Sequence, residues 1–145
     1  MTNYNILLAD DDDDDRSFFI DALEELPVDV SLQTVSNGAE LMQLLNRDAL
    51  SLPQVLFLDL NMPRKSGFEC LEEIKQDEKL KQLPVIIYST SADSDVIDML
   101  YKKGAHYYIR KPAQFSDLKS VIHKAITVVG HQRRQPPKEK FVISP

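Results

Sequence analysis

Short apolar runs alternate along this chain with stretches whose apolar residues recur every three or four positions. Residues 4–9, Tyr-Asn-Ile-Leu-Leu-Ala, make the first run, and after six aspartates Phe19, Ile20, Leu23 and Leu26 fall at helical spacing as far as Pro27. Residues 30–35, Val-Ser-Leu-Gln-Thr-Val, partly alternate, as an edge strand with one wetter face does, and Asn37-Gly38 turns the chain into a helix carrying Leu41, Leu44 and Leu45. Val55-Leu56-Phe57-Leu58 is too apolar for a surface strand, and Asn61-Met62-Pro63 forces a loop before a helix with Phe68, Leu71 and Ile74. Pro84 introduces Val85-Ile86-Ile87-Tyr88, and a helix with Val96, Ile97 and Leu100 stops at Gly104. His106 to Ile109 makes a fifth strand; Phe115, Leu118, Val121, Ile122 and Ile126 make a fifth helix.

Five strand–helix units with short apolar strands require a parallel sheet covered on both faces. Right-handed crossovers leave few arrangements, and a doubly wound, flavodoxin-like (βα)5 sheet of strand order 2-1-3-4-5 suits the length. Residues 1–129 are thus expected to be one α/β domain. Beyond it, from residue 130 to 145, the composition turns to His-Gln-Arg-Arg-Gln-Pro-Pro-Lys-Glu-Lys without periodicity. That pattern predicts a flexible, solvated tail in which only Phe141-Val142-Ile143 offers something to dock.

Composition narrows the class. At 145 residues the chain suits a single domain, and 43% hydrophobic against 28% charged residues excludes a disordered chain. No apolar run approaches the ~20 residues of a membrane span, and Met-Thr-Asn-Tyr-Asn lacks the basic region of a secretory signal, so a cytoplasmic chain is expected. Cys70 stands alone and can form no internal disulfide; it reads as a buried helix residue. The net charge of −6 lies in Asp10 to Asp15, and setting these six aside leaves 17 acidic residues against 17 Lys and Arg. That balance argues against nucleic-acid or anionic-membrane binding, which needs a basic excess on one face.

In an open parallel sheet, ligands bind at the carboxyl ends of the strands, near the switch in strand order. There the first strand ends at Asp10 and Asp11, the third at Asp59 and the fourth at Ser89, with Lys111 just past the fifth. Three converging carboxylates need a cation to stay ionised together, and Mg²⁺, which prefers oxygen ligands, is the economical choice. With Lys111 opposite, such a site suits phosphoryl transfer, with Asp59 as the nucleophile and Ser89 as donor to a phosphoryl oxygen. Taken singly, a lysine before a proline is ordinary surface and an aspartate after a strand is an ordinary turn; their placement at one edge carries the reading. Asp12 to Asp15 read as helix-start residues, favoured by the helix dipole. A sharp turn aiming the lysine inward also predicts a cis Lys111–Pro112 bond.

The set Ile6-Leu7-Leu8-Ala9-Asp10-Asp11, Val55 to Pro63 with Gly67, Pro84 to Ser89, and Tyr108-Ile109-Arg110-Lys111-Pro112 resembles the receiver domain of bacterial two-component response regulators over about residues 4 to 129. The long segment Asp77 to Leu83, with no output domain following, looks most like the single-domain regulators associated with phytochromes. The resemblance implies Asp59 as phosphoacceptor, Asp10 and Asp11 as the acidic pair, and a backbone carbonyl of Asn61 as a further Mg²⁺ ligand. It implies Ser89 as switch hydroxyl, Tyr108 as a switch aromatic that turns inward, and Lys111 as phosphate partner. The implied donor is a sensor histidine kinase or a histidine phosphotransfer protein in a phosphorelay. Output would pass through the helix 4–strand 5–helix 5 surface to a partner protein or a second copy in a homodimer. The chain would be no enzyme in the usual sense, but a phosphoprotein that assists its own phosphoryl transfer and dephosphorylation.

The aspartate run leaves the register of the acidic pair open by one residue within Asp10 to Asp12. Asp10-Asp11 directly follow the strand, and Arg16 falls where an early-helix basic residue is often seen. Two rivals fare worse. An aspartate-nucleophile phosphatase wants an aspartate two residues after Asp59, where Asn61 stands, and a calcium loop lacks its turn glycine at Asp15 and its glutamate at Asp21. The four glycines, Gly38, Gly67, Gly104 and Gly130, assemble no phosphate-binding loop.

Overall fold

The computed structural model describes residues 4–47 and 52–145. Residues 1–3, where a secretory signal would begin, and 48–51 lie outside the described residues. In chain order the elements are β1 (Tyr4–Ala9), α1 (Asp13–Glu24), β2 (Val30–Val35), α2 (Gly38–Arg47), β3 (Val55–Leu58), α3 (Gly67–Gln76), β4 (Val85–Ser89), α4 (Ser94–Lys102), β5 (Tyr107–Arg110), α5 (Phe115–His131) and β6 (Val142–Ile143). The strands form one parallel sheet of order β2-β1-β3-β4-β5-β6. The doubly wound order expected from the sequence is present, with one strand added at the β5 edge.

Each central strand is apolar throughout because its two side-chain rows enter two different cores. Leu7 and Ala9, Leu56 and Leu58, Val85 and Ile87, and Tyr108 face α2, α3 and α4. Ile6 and Leu8, Val55 and Phe57, Ile86 and Tyr88, and Tyr107 and Ile109 face α1 and α5. Phe19 of α1 fills the second core edge-on to both Phe57 and Tyr88, with ring centroids 5.0 and 5.6 Å away. β2 is paired on one side only, and its alternating exposure matches the edge strand its sequence suggests.

Two local features bring α3 under the strand ends. Ser66 and Glu69 close a reciprocal cap, each side chain accepting the other's backbone N–H, at 3.2 and 3.0 Å. A Cβ on Gly67 would lie 2.2 Å from the Asp59 carbonyl oxygen, so only glycine lets α3 begin pressed against the loop that carries Asp59.

The carboxyl-terminal segment departs from the expected solvated tail. α5 runs to His131; residues 133–136 then cross the amino ends of β4 and β5, and a 3-10 turn at Lys138–Lys140 delivers β6 to the edge of β5. Gln135 Nε2 donates to the carbonyls of Tyr101 and Ala105 at 2.7 and 2.8 Å, and the Tyr101 hydroxyl donates to Pro136 O at 2.7 Å. Phe141 is 1% exposed, wedged between Tyr101 and Tyr108 with ring centroids 5.1 and 6.3 Å away. Burying that one ring is worth about 1.5–3 kcal/mol, enough to hold a short segment that has little periodicity of its own.

Candidate functional site

Parallel pairing continues one residue past the strands and fixes the acidic edge. Asp10 N–H donates to Val35 O at 3.1 Å, Asp59 N–H to Ala9 O at 2.9 Å, and Lys111 N–H to Ser89 O at 2.8 Å. Asp10, Asp59, Ser89 and Lys111 therefore stand side by side at the carboxyl ends of β1, β3, β4 and β5. The Lys111–Pro112 bond is trans, which corrects the expected cis bond. The chain leaves β5 still extended on the Ser89 hydrogen bond, and the lysine stem alone carries Nζ inward, so no sharp reversal is needed.

Lys111 Nζ lies 3.0 Å from Asp10 Oδ2, 2.8 Å from Asp15 Oδ2 and 3.4 Å from Asp59 Oδ2, and 5.1 Å from the centre of the Tyr88 ring. Asp10, Asp11 and Asp59 each offer a carboxylate oxygen within 4.8 Å of the others; Asp10 and Asp59 are buried and Asp11 is exposed. Asp10 Oδ1 accepts the Asp12 N–H at 3.0 Å. Asp10 Oδ2 is buried and accepts no hydrogen bond among the described residues, because the ammonium, although close, lies off the hydrogen-bonding direction. A buried, orphaned carboxylate oxygen beside two further carboxylates is an all-oxygen donor set, which fits a hard divalent cation.

The electrostatics show the same shortage of positive charge. Burial, and then the neighbouring charge of Asp10, push the Asp59 carboxyl up to about 6, although Lys111 and the backbone N–H of Asn61 oppose the shift. Burial likewise raises Asp10, despite the Asp12 N–H and Lys111. Burial alone would lower Lys111, but its hydrogen bond to Asp15 and the negative charges of Asp10 and Asp59 close by hold it above the usual lysine range.

Asp12 caps α1, its side chain accepting Asp15 N–H at 2.9 Å, and Asp13 to Asp15 fill the first turn as expected of a helix start. Asp15 does more than that. One helical turn carries its carboxylate back over the strand ends to Lys111, a role that a run of identical residues gives no signal for. Arg16 Nη1 donates to Asp10 O at 2.7 Å and so fixes the end of β1 from α1. Asn61 is exposed in the loop after Asp59, and its backbone N–H is directed to the Asp59 carboxylate.

Ser89 is fully buried, and its Oγ accepts Ser91 N–H at 3.2 Å. Tyr108 belongs to the core of α2, α3 and α4, away from the acidic edge, and its hydroxyl donates to Ser91 O at 2.6 Å. Its ring lies inside the protein against Phe141, which leads into the added strand β6. Tyr107 packs in the opposite core, as neighbouring strand residues must.

Comparison with known proteins agrees with the fold. A family model described as the response regulator receiver domain matches residues 6–123. Response regulator Rcp1 of Synechocystis sp. (strain ATCC 27184 / PCC 6803 / Kazusa) is 31% identical over 117 residues, which is 78% of this chain and 80% of that one. The crystal structure of the phosphorylated cyanobacterial phytochrome response regulator RcpA superposes with a TM-score of 0.78 at 34% identity, covering 86% of this chain and 91% of that one. The Mn²⁺-bound form of Rcp1 gives a TM-score of 0.78 at 28% identity, covering 92% of this chain and 99% of that one.

Proposed function

The chain belongs to the response regulator receiver family, and from that membership and its acidic edge we propose that it accepts a phosphoryl group on Asp59 from a phosphohistidine donor, with Mg²⁺ bound beside it. The observation that carries the proposal is the convergence of Asp10, Asp11 and Asp59 on one spot with Lys111 Nζ 3.4 Å from Asp59. Receiver domains are signalling domains rather than classical enzymes, and the chemistry follows from that. An Asp59 oxygen attacks phosphorus, the bond from phosphorus to the donor's imidazole nitrogen breaks, and the histidine leaves with its electron pair.

Asp10, Asp11, Asp59 and the Asn61 carbonyl would hold the Mg²⁺, which offsets the charge gathering on the phosphoryl oxygens. Lys111 is positioned by Asp10 and Asp15 to meet one of those oxygens, and the Ser89 hydroxyl to meet another. The donor is a sensor histidine kinase or a histidine phosphotransfer protein. Water in place of the histidine would reverse the modification at the same groups, giving self-assisted dephosphorylation.

Output passes through the surface of α4, β5 and α5 to a partner protein. A phosphoryl group shifts that surface only through contacts it makes in one state and not the other. Ser89 supplies them: moving toward the phosphoryl group releases the Ser91 N–H, and the Ser91 carbonyl is the acceptor of Tyr108, whose N–H in turn donates to Phe141 O at 3.0 Å. Intact mass after incubation with phosphoramidate, with and without Mg²⁺, tests the acceptor reading. A Mg²⁺-dependent gain of one phosphoryl group supports it, and steady turnover of phosphomonoesters with no gain would replace it with a phosphatase.

A further inference from the structure

A second charged feature lies at the opposite end of the sheet. A cavity of about 740 Å³ opens beneath the amino ends of β4 and β5, between the segment that follows α3 and the returning carboxyl-terminal chain. Its volume lies within the roughly 300–1,000 Å³ of small-molecule sites. Among the described residues that line it are Lys75, Lys79, Lys81, Arg133 and Arg134, and no carboxylate. β4 has five residues, which at about 3.3 Å each puts the cavity roughly 17 Å from the Asp59 edge.

Local pairing leaves much of this charge uncompensated. Glu78 pairs with Lys81 at 2.8 Å, and the Asp77 carboxylate accepts the Lys79 backbone N–H at 2.7 Å. Five cations against these two carboxylates leave three positive charges over, and the carbonyl end of α3 offsets only about half of one. The side chains of Lys79 and Arg134 have no partner among the described residues. Lys75 lies along Gly104, whose missing side chain leaves room for the stem 3.3 Å from where a Cβ would be, and its ammonium donates to a carbonyl, Lys81 O, at 3.2 Å. Burial without a carboxylate lowers Lys75 to about 8. His106 adds no charge: burial, then Lys75, push it down to about 4, so it stays neutral, accepting Val85 N–H at 3.3 Å and donating to Arg133 O at 3.0 Å.

We propose that this cavity binds a small anion carrying a chain of phosphates, which bridges Lys75 and Lys79 on the α3 side to Arg133 and Arg134 on the carboxyl-terminal side. One carboxylate leaves most of the excess charge unmatched, and one monophosphate, at about −1.5 to −2, leaves part of it and cannot span both sides of the cavity; a di- or triphosphate matches the excess in full, and Lys and Arg are the usual partners of phosphate oxygens. The cations line a pocket rather than a stripe, which fits a small molecule rather than a nucleic acid. Leu52, Pro53 and Leu83 give it an apolar wall on which a nucleoside ring could rest. Bound there, the anion ties residues 133–134 to the body of the protein and strengthens the docking of Phe141 and β6.

The test uses the full chain without divalent metal, titrated with inorganic tripolyphosphate, ATP and orthophosphate by calorimetry and amide chemical shifts. Tripolyphosphate and ATP are expected to bind at least about tenfold more tightly than orthophosphate, with shifts at Gly104, His106 and Gln135. Equal affinity for the first two identifies the phosphate chain as the whole ligand, and tighter ATP adds the nucleoside. Lys75→Gln should weaken both about tenfold, and the exposed pair Lys79→Gln with Arg134→Gln, which cannot disturb the core, should do so by at least as much. Phosphorylation of Asp59 by phosphoramidate should be unchanged in each variant, so failure here leaves the phosphoacceptor reading standing. Absence of binding, undiminished affinity in the exposed double variant, or shifts confined to the loops around Asp59 would overturn the proposal.

Discussion

Replacing Asp59 with asparagine should stabilise the protein, and by an amount that grows with pH. The group titrates near 3.8 when unfolded and is pushed up to about 6 in the fold. A carboxyl raised in this way binds its proton more readily in the folded state, so stability falls as pH climbs from about 4 to 6 and stays lower above it. Each tenfold change in proton affinity is about 1.4 kcal/mol, so charging Asp59 in the metal-free fold costs about 3 kcal/mol at pH 7. The side chain is only 8% exposed, so solvent screens little of that cost. Asparagine removes the charge and keeps the shape, at the expense of the Lys111 contact, which Asp10 and Asp15 still satisfy. Urea denaturation followed by circular dichroism in EDTA, at steps from pH 4.5 to 8, reads the difference directly. The variant should gain up to about 3 kcal/mol over the wild type at pH 7 and much less at the acid end. A residual slope will remain, because Asp10 is raised for the same reason. A variant less stable than wild type at pH 7, or a gap that does not change with pH, would refute the claim that Asp59 is held charged at a cost to folding.

Three further outcomes follow from the same geometry. Asp11→Asn should weaken Mg²⁺ binding by at least about tenfold in a calorimetric titration while Asp14→Asn changes it little, since Asp11 and not Asp14 shares the 4.8 Å cluster; equal losses would move the acidic pair. Phe141→Ala in a core would cost about 3–5 kcal/mol, but a two-residue edge strand such as β6 can detach instead. Hydrogen exchange at the Tyr108 amide should therefore speed up more than tenfold, with Leu8 unchanged. A phosphoryl mimic on the wild type should shift amides at Ser91, Tyr108 and within residues 93 to 103; changes confined to the loops around Asp59 would mean that α4, β5 and α5 are not the output.

The five-stranded frame is legible because every central strand is buried on both faces, and only a parallel sheet with two helical layers buries a run such as Val55 to Leu58 completely. The edge residues are legible for a related reason: a strand that ends in Asp10 or Asp59 must present that carboxylate where the sheet opens. β6 is not legible. Two residues set no periodicity, and what holds them is the gap between Tyr101 and Tyr108 that Phe141 fills, a fact of packing and not of local sequence. Asp15 is hidden for another reason, because six identical residues offer no contrast and only the start of α1 at Asp13 decides which of them turns back to Lys111. His106 reads as a strand residue and is instead a buried neutral link between β4 and the carboxyl-terminal chain.

The central claim is that Asp59 is where the phosphoryl group is held. Wild type and Asp59→Asn, each treated with phosphoramidate and Mg²⁺, should be reduced with borohydride, which converts an acyl phosphate to an alcohol, and then mapped by peptide mass. The account predicts modification at position 59 alone in the wild type, lost when EDTA replaces Mg²⁺ and absent from the variant. Modification at Asp10, Asp11 or Asp15, or an undiminished signal in Asp59→Asn, would contradict it.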